Sequence, residues 1–196
     1  FVADNIKEII PEFLMLLKGT IDCEDLPLNV SRSFLQNDKN VIKLSKHITK
    51  KVADKLIELF EKEREKYEGF WKDISPFIKY GSIKDRNFYD KIKDVLIFKS
   101  INGNYLTLNE YFEKTGGKKE GDKEENKVFY VSDEKQQHQY IKLFKDQGLE
   151  ALVLDSVIDN HFISYLEMYE MNLKFYRIDS DLADSLKDGE EEDKGD

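Results

Sequence analysis

The clearest hydrophobic period in the chain runs from about Asn40 to Lys66, where Val41, Leu44, Ile48, Val52, Leu56 and Leu59 recur at threes and fours while Lys and Glu fill the other face. That spacing predicts one long amphipathic helix with a single buried stripe. Two more helical segments follow. Tyr67 to Lys79 carries Phe70, Trp71, Ile74, Phe77 and Ile78 and is expected to stop near Gly81, and Arg86 to Val95 carries Phe88, Tyr89, Ile92 and Val95. Aromatic stripes at helical spacing read as core before they read as a ligand surface. Thr107-x-x-Glu110 forms a capping box for a short helix through Glu113, ending before Gly116-Gly117. Near the start, Pro11 to Leu17 predicts a short helix opened by proline and closed at Gly19, with Thr20-Ile21 as a strand edge.

From Val128 the pattern changes to short apolar runs alternating with helical ones: strand Val128 to Val131, helix Glu134 to Lys145, Gly148 as stop, strand Ala151 to Leu154, helix Val157 to Met168, strand Leu173 to Ile178. A β-α-β-α-β order implies a small parallel sheet with right-handed crossovers and helices covering it. The fold class is therefore α/β, or α+β taken over the whole chain. Residues 1–38 are expected to end a larger α/β unit, 39–114 to form a helical connector, 115–127 a mobile polar loop, 128–180 a small α-β-α sandwich, and 181–196 an acidic tail or linker.

Composition narrows the function classes. A net charge of −9 argues against nucleic acid as the main partner, because phosphate neutralisation needs a basic field. Asp188 to Asp196 reads D-G-E-E-E-D-K-G-D, which has nothing apolar to bury. The single Cys23 excludes an internal disulfide, and His47, His138 and His161 are too scattered to compose a zinc site. No run approaches the ~20 apolar residues that cross a bilayer, and no signal peptide pattern is present, so a reduced cytoplasmic setting is expected. The chain begins at Phe1, and Phe1, Ile6, Ile9, Phe13, Leu14 and Leu17 offer more apolar surface than so short a segment covers, as expected of a piece of a longer protein.

Several constellations carry little chemistry. The first strand-to-helix turn of the β-α-β-α-β unit, Val131-Ser132-Asp133-Glu134, has no glycine to admit a pyrophosphate and two acids that repel one. Asp22, Glu24 and Asp25 sit in a Pro-bounded loop where carboxylates usually form turns or stay solvated, and no metal is expected. Ser31 and Ser33 have no histidine near in sequence to activate them. Asp155-Ser156 and Ile158-Asp159-Asn160-His161 sit at a strand-to-helix turn where helix capping is preferred to catalysis.

Arg32 is the informative residue. Ser31 is a suitable helix N-cap, which puts Arg32 in the first helical turn, where the macrodipole is positive and a cation is mildly disfavoured unless an anion approaches. Gln36 lies one turn later on the same face. By spacing alone, Arg32 either pairs with Glu24 or Asp25 or, with Gln36, reaches a phosphate.

The wording Glu24-Asp25-Leu26-Pro27-Leu28-Asn29-Val30-Ser31-Arg32, then Leu35-Gln36, resembles the middle domain of the ninety-kilodalton heat-shock chaperone family, most closely its bacterial form. The likeness continues at Ile10-Pro11-Glu12-Phe13-Leu14, Lys18-Gly19, Phe70-Trp71, Val128-Phe129-Tyr130-Val131, Gly148-Leu149-Glu150 and Ile158-Asp159. Ser33 stands where many members carry an acidic residue, which removes a local salt bridge but not the arginine.

This resemblance implies an ATP-dependent chaperone in which residues 1–38 include the catalytic loop. Arg32 would reach the γ-phosphate of ATP, Gln36 would support the docked loop, and Leu26, Leu28 and Asn29 are possible loop contacts. ATP, with magnesium beside it, would be held by a separate N-terminal domain, so no cofactor is expected within this chain and the chain alone should not hydrolyse ATP. Expected partners are that N-terminal domain, unfolded or partly folded clients, and a second copy through a C-terminal domain, with no nucleic acid and no membrane. The alternative is a scaffold for clients or co-chaperones with no direct role in hydrolysis, for which Tyr111, Phe112, Phe162 and Tyr165 are candidate surface residues.

Overall fold

The predicted long helix does form, as α1 (Asp38–Lys62), and it buries Val52, Ala53, Leu56 and Leu59 at the expected spacing. It does not continue to Lys66. Glu63 leaves the helical region with φ −137° and ψ 58°, and α2 (Arg64–Lys84) starts immediately afterwards. Neither proline, glycine nor a capping side chain marks the break. The Glu63 N–H still bonds the Leu59 carbonyl and the Tyr67 N–H takes the Glu63 carbonyl, so the backbone ladder passes from one helix to the next. What the break gains is packing: Tyr67 sits edge-on to Phe60 at 6.0 Å, and its hydroxyl donates to the Val95 carbonyl at 2.6 Å.

α2 buries Tyr67, Trp71, Ile74 and Ile78 along one face, while Phe70 and Phe77 are half-buried. The helix passes through Gly81, where a stop was expected. A Cβ at Gly81 would lie 3.3 Å from the Phe88 ring, so this glycine makes room for a neighbour and does not end the helix. Asp85 ends it, and its carboxylate accepts the Phe88 N–H at 3.3 Å to start α3 (Arg86–Ile92), which runs into a 3₁₀ turn at Lys93–Val95.

This computed structural model describes residues 38–118, 121, 124–180 and 183, and the chain divides into two units between Val95 and Leu96. The second unit opens with a hairpin that the sequence pattern did not show. β1 (Phe98–Lys99) pairs antiparallel with β2 (Tyr105–Leu106) through a turn in which Gly103 takes φ 83°. Thr107 and Glu110 make both bonds of the capping box that starts α4 (Leu108–Lys114).

Then come β3 (Asn126–Val131), α5 (His138–Asp146), β4 (Leu152–Val153), α6 (Val157–Tyr169) and β5 (Leu173–Arg177). The strands form a parallel sheet in the order β4-β3-β5, in agreement with the α/β fold class read from the sequence. The hairpin extends the β4 edge through a Ser100–Leu152 bridge and an Ile101 N–H to Ala151 carbonyl bond of 3.0 Å. Ile101, Val131, Phe144, Ala151, Ile178 and Ala183 form a buried cluster within this unit.

Candidate functional site

Leu26, Leu28, Asn29, Arg32 and Gln36 lie outside the described residues, as do Asp22, Glu24, Asp25, Ser31 and Ser33. The described chain starts at Asp38, two residues after Gln36, with the first residue of α1.

At the carboxyl end of β3 the backbone is already engaged. The buried Gln137 side chain turns back so that Oε1 accepts the N–H groups of Ser132 at 2.9 Å and Asp133 at 3.1 Å. The Asp133 carboxylate accepts the N–H of Lys135 and Gln136 at 3.0 and 3.1 Å. These bonds fold residues 134–137 into a separate turn and delay α5 to His138, four residues after the predicted start. They also occupy the donors that a phosphate at this turn would use. Asp179 approaches from the end of β5, where Arg177 donates to its carboxylate and hydrogen bonds with Arg177 and Gln137 hold its pKa below the usual value against the opposing effect of burial. At the next strand-to-helix turn, the buried Asp159 accepts the Ser156 N–H at 3.0 Å and its hydroxyl at 2.7 Å, which is capping chemistry.

The aromatics considered for a client surface are not on one. Tyr111, Phe112, Phe162 and Tyr165 are all buried. Helical spacing by itself could not show this, because a stripe of aromatics looks the same on either face. The large apolar side chains that are exposed are Val157 (83 %), Met171 (77 %), Met168 (70 %), Leu143 (43 %) and Tyr169 (36 %). Met168, Tyr169 and Met171 cluster where α6 ends and the chain turns into β5.

Tyr111 instead performs a structural task. β4 is too short to reach the Phe129 N–H of β3, and the Tyr111 hydroxyl accepts that N–H at 3.1 Å while donating to the Glu150 carbonyl at 3.3 Å. The Glu150 carboxylate in turn accepts the Asn102 amide at 3.2 and 3.3 Å, which ties the hairpin turn to the sheet edge.

One cleft of about 380 Å³ opens within the second unit, between the hairpin turn, α5 and β4. Ser100, Ile101, Ile141 and Val153 form its less exposed part, and Lys99, Lys142, Lys145, His138 and Glu134 its polar rim. Among the described residues, no helix is long and apolar enough to cross a membrane and no group of His, Cys, Asp and Glu is arranged to hold a metal.

Comparison with known proteins places these observations. The model of the family described as Hsp90 protein matches residues 1–196. The chain is 40% identical over 187 residues to chaperone protein HtpG of Porphyromonas gingivalis and 38% identical over 187 residues to that of Bacteroides fragilis, in each case covering 95% of this chain and 27% of the relative. HtpG of Geobacter sulfurreducens is 31% identical over 176 residues, 86% of this chain. The chain thus spans about a quarter of the length of these curated relatives. Among solved structures, the middle domain of a Plasmodium falciparum heat shock protein superposes with a TM-score of 0.55 at 20% identity, covering 74% of this chain and 60% of that one. This likeness concerns the fold.

Proposed function

The chain belongs to the Hsp90 protein family, and from that premise we propose that it is a middle segment of an ATP-dependent molecular chaperone that assists the folding of client proteins. The observation that supports this most is the family match along residues 1–196, which includes the segment carrying Arg32 and Gln36.

In the proposed mechanism Arg32 acts on ATP bound, with magnesium, by an N-terminal domain of the same protein. Its guanidinium is permanently charged and carries a planar fork of donors, so it can place two N–H groups on γ-phosphate oxygens as negative charge redistributes during cleavage. Gln36, four residues further along the sequence, holds the docked loop by hydrogen bonding, and Leu26, Leu28 and Asn29 contact that loop. The whole protein works in the cytoplasm as a homodimer joined through a C-terminal domain. Arginine fingers are worth roughly 10³ to 10⁵ in rate where chemistry limits turnover, and less where closure of the domains does. The experiment is ATP turnover by the full-length protein carrying Arg32→Ala, set beside its ATP affinity.

The scaffold reading keeps one specific support, the exposed Met168, Tyr169 and Met171 beside the end of α6. Flexible, polarisable methionines suit surfaces that accept many sequences. This face would contact unfolded or partly folded clients, and it coexists with the role of Arg32 because the two lie on different parts of the chain.

A further inference from the structure

The turn of the β1-β2 hairpin carries the only Asn-Gly pair in the sequence, Asn102-Gly103. Both residues are exposed, and Gly103 takes φ 83° with nothing within 4 Å of the place a Cβ would occupy. The Gly103 nitrogen is therefore open to the preceding side chain once its own bond to the Ser100 carbonyl, 3.0 Å long, lets go. That bond closes a hairpin whose strands are two residues each, an element that opens at low free-energy cost. The Asn102 amide meanwhile donates to both carboxylate oxygens of the buried Glu150 at 3.2 and 3.3 Å, and one of those oxygens also accepts the Ala151 N–H at 3.3 Å.

We propose that Asn102 is a site of spontaneous deamidation, and that the change releases the hairpin turn from the sheet edge. Hydroxide takes the Gly103 N–H proton, the nitrogen attacks Asn102 Cγ, and the Cγ–Nδ2 bond breaks as ammonia leaves with a proton from water. The succinimide so formed takes up one water. Cleavage of the bond from the Gly103 nitrogen to Cγ gives aspartate, and cleavage of its bond to the Asn102 main-chain carbonyl carbon gives isoaspartate. One water is consumed and one ammonia released, with no change of oxidation state. Either product sets a carboxylate where a donor had faced the Glu150 oxygens, so two hydrogen bonds become a repulsion between like charges. Isoaspartate also lengthens the main chain by one methylene inside the turn that the Ser100 carbonyl closes. The site is separate from the Arg32 loop and does not depend on the role given to that residue.

The test is incubation of the full-length protein in mildly alkaline buffer, followed by peptide mass spectrometry, with the urea-unfolded protein as reference. The peptide containing Asn102 should gain one mass unit, as a mixture of aspartate and isoaspartate, ahead of every other asparagine of residues 1–196 and within about a hundredfold of the unfolded rate, as the free energy of local opening implies. Asn102→Asp, which supplies one product directly, should speed hydrogen exchange at Ile101, whose N–H bonds the Ala151 carbonyl, by about tenfold or more. Adding Glu150→Gln to that variant should restore protection, because its amide donates to the new carboxylate while its oxygen keeps the Ala151 N–H. Asn104→Asp, the same charge two residues on, should leave exchange at Ile101 unchanged. A native protein that keeps its Asn102 amide long after the unfolded one is fully converted overturns the modification. Unaltered exchange at Ile101 in Asn102→Asp, or no recovery with Glu150→Gln, overturns its structural consequence.

Discussion

Replacing Tyr111 by Phe removes one oxygen atom and should cost far more than its size. The Tyr111 ring is buried and packs edge-on to Phe112 at 5.6 Å, contacts that phenylalanine keeps. The hydroxyl alone accepts from the Phe129 N–H at 3.1 Å and donates to the Glu150 carbonyl at 3.3 Å. Without it both backbone groups are orphaned where the short β4 leaves the β3 edge uncovered. A typical intramolecular hydrogen bond contributes about 1 kcal/mol and an orphaned buried group costs about 1–3 kcal/mol, so the longer Glu150 bond and the better Phe129 bond together amount to about 2 kcal/mol. For a unit of 60–100 residues each kcal/mol moves Tm by about 4–8 °C, which gives roughly 8–16 °C if the second unit unfolds by itself and about half that if the two unfold together. Calorimetry gives the shift, and hydrogen exchange at Phe129 locates it. A Tm change below about 2 °C with unaltered Phe129 protection would refute the bridging role, because a water or a shifted backbone would then replace the hydroxyl at no cost.

Two further outcomes follow from the same structure. Burial raises the Tyr111 pKa to about 12, helped by Glu150 and opposed by the Phe129 N–H bond, and burial also raises that of Tyr67. A folded pKa above the unfolded value means that the native state resists losing the proton, so the contribution is intact below pH ~10 and is lost as pH rises toward ~12. Denaturant midpoints should be flat between pH 7 and 9 and fall above 10, with a shallower fall in Tyr111→Phe; a flat profile to pH 11.5 would contradict it. Met168→Ser with Met171→Ser, both on exposed side chains, should leave Tm within about 1 °C while weakening suppression of client aggregation by the full-length protein; unchanged suppression would remove the support for a client face.

The small sheet was legible because each of its elements carries its own signal. Val128 to Val131, Gly148 and Leu173 to Ile178 alternate strand, stop and strand in an order that only a parallel arrangement accommodates, and Thr107 with Glu110 announces α4 directly. What was missed lacks any local signal. The break at Glu63 is set by Tyr67 reaching Phe60 and Val95, a tertiary contact no neighbouring residue encodes. Gly81 looked like a stop because a glycine that relieves a close approach has the same letter as one that ends a helix. β1 and β2, at two residues each, are too short for alternation to register. The late start of α5 comes from the Gln137 side chain competing for backbone donors, which spacing cannot show. At the site the position is reversed: Arg32 and Gln36 are proposed through wording alone, because both lie outside the described residues.

Arg32 carries the proposed chemistry, and single-turnover ATP hydrolysis by the full-length protein with Arg32→Ala, alongside its dissociation constant for ATP, tests that role without the steps of domain closure and product release. Loss of one transition-state donor predicts a rate lowered by about 10² or more with affinity changed less than about threefold. An unchanged rate in a folded protein would contradict the account and make Arg32 a structural partner of the nearby carboxylates Glu24 and Asp25.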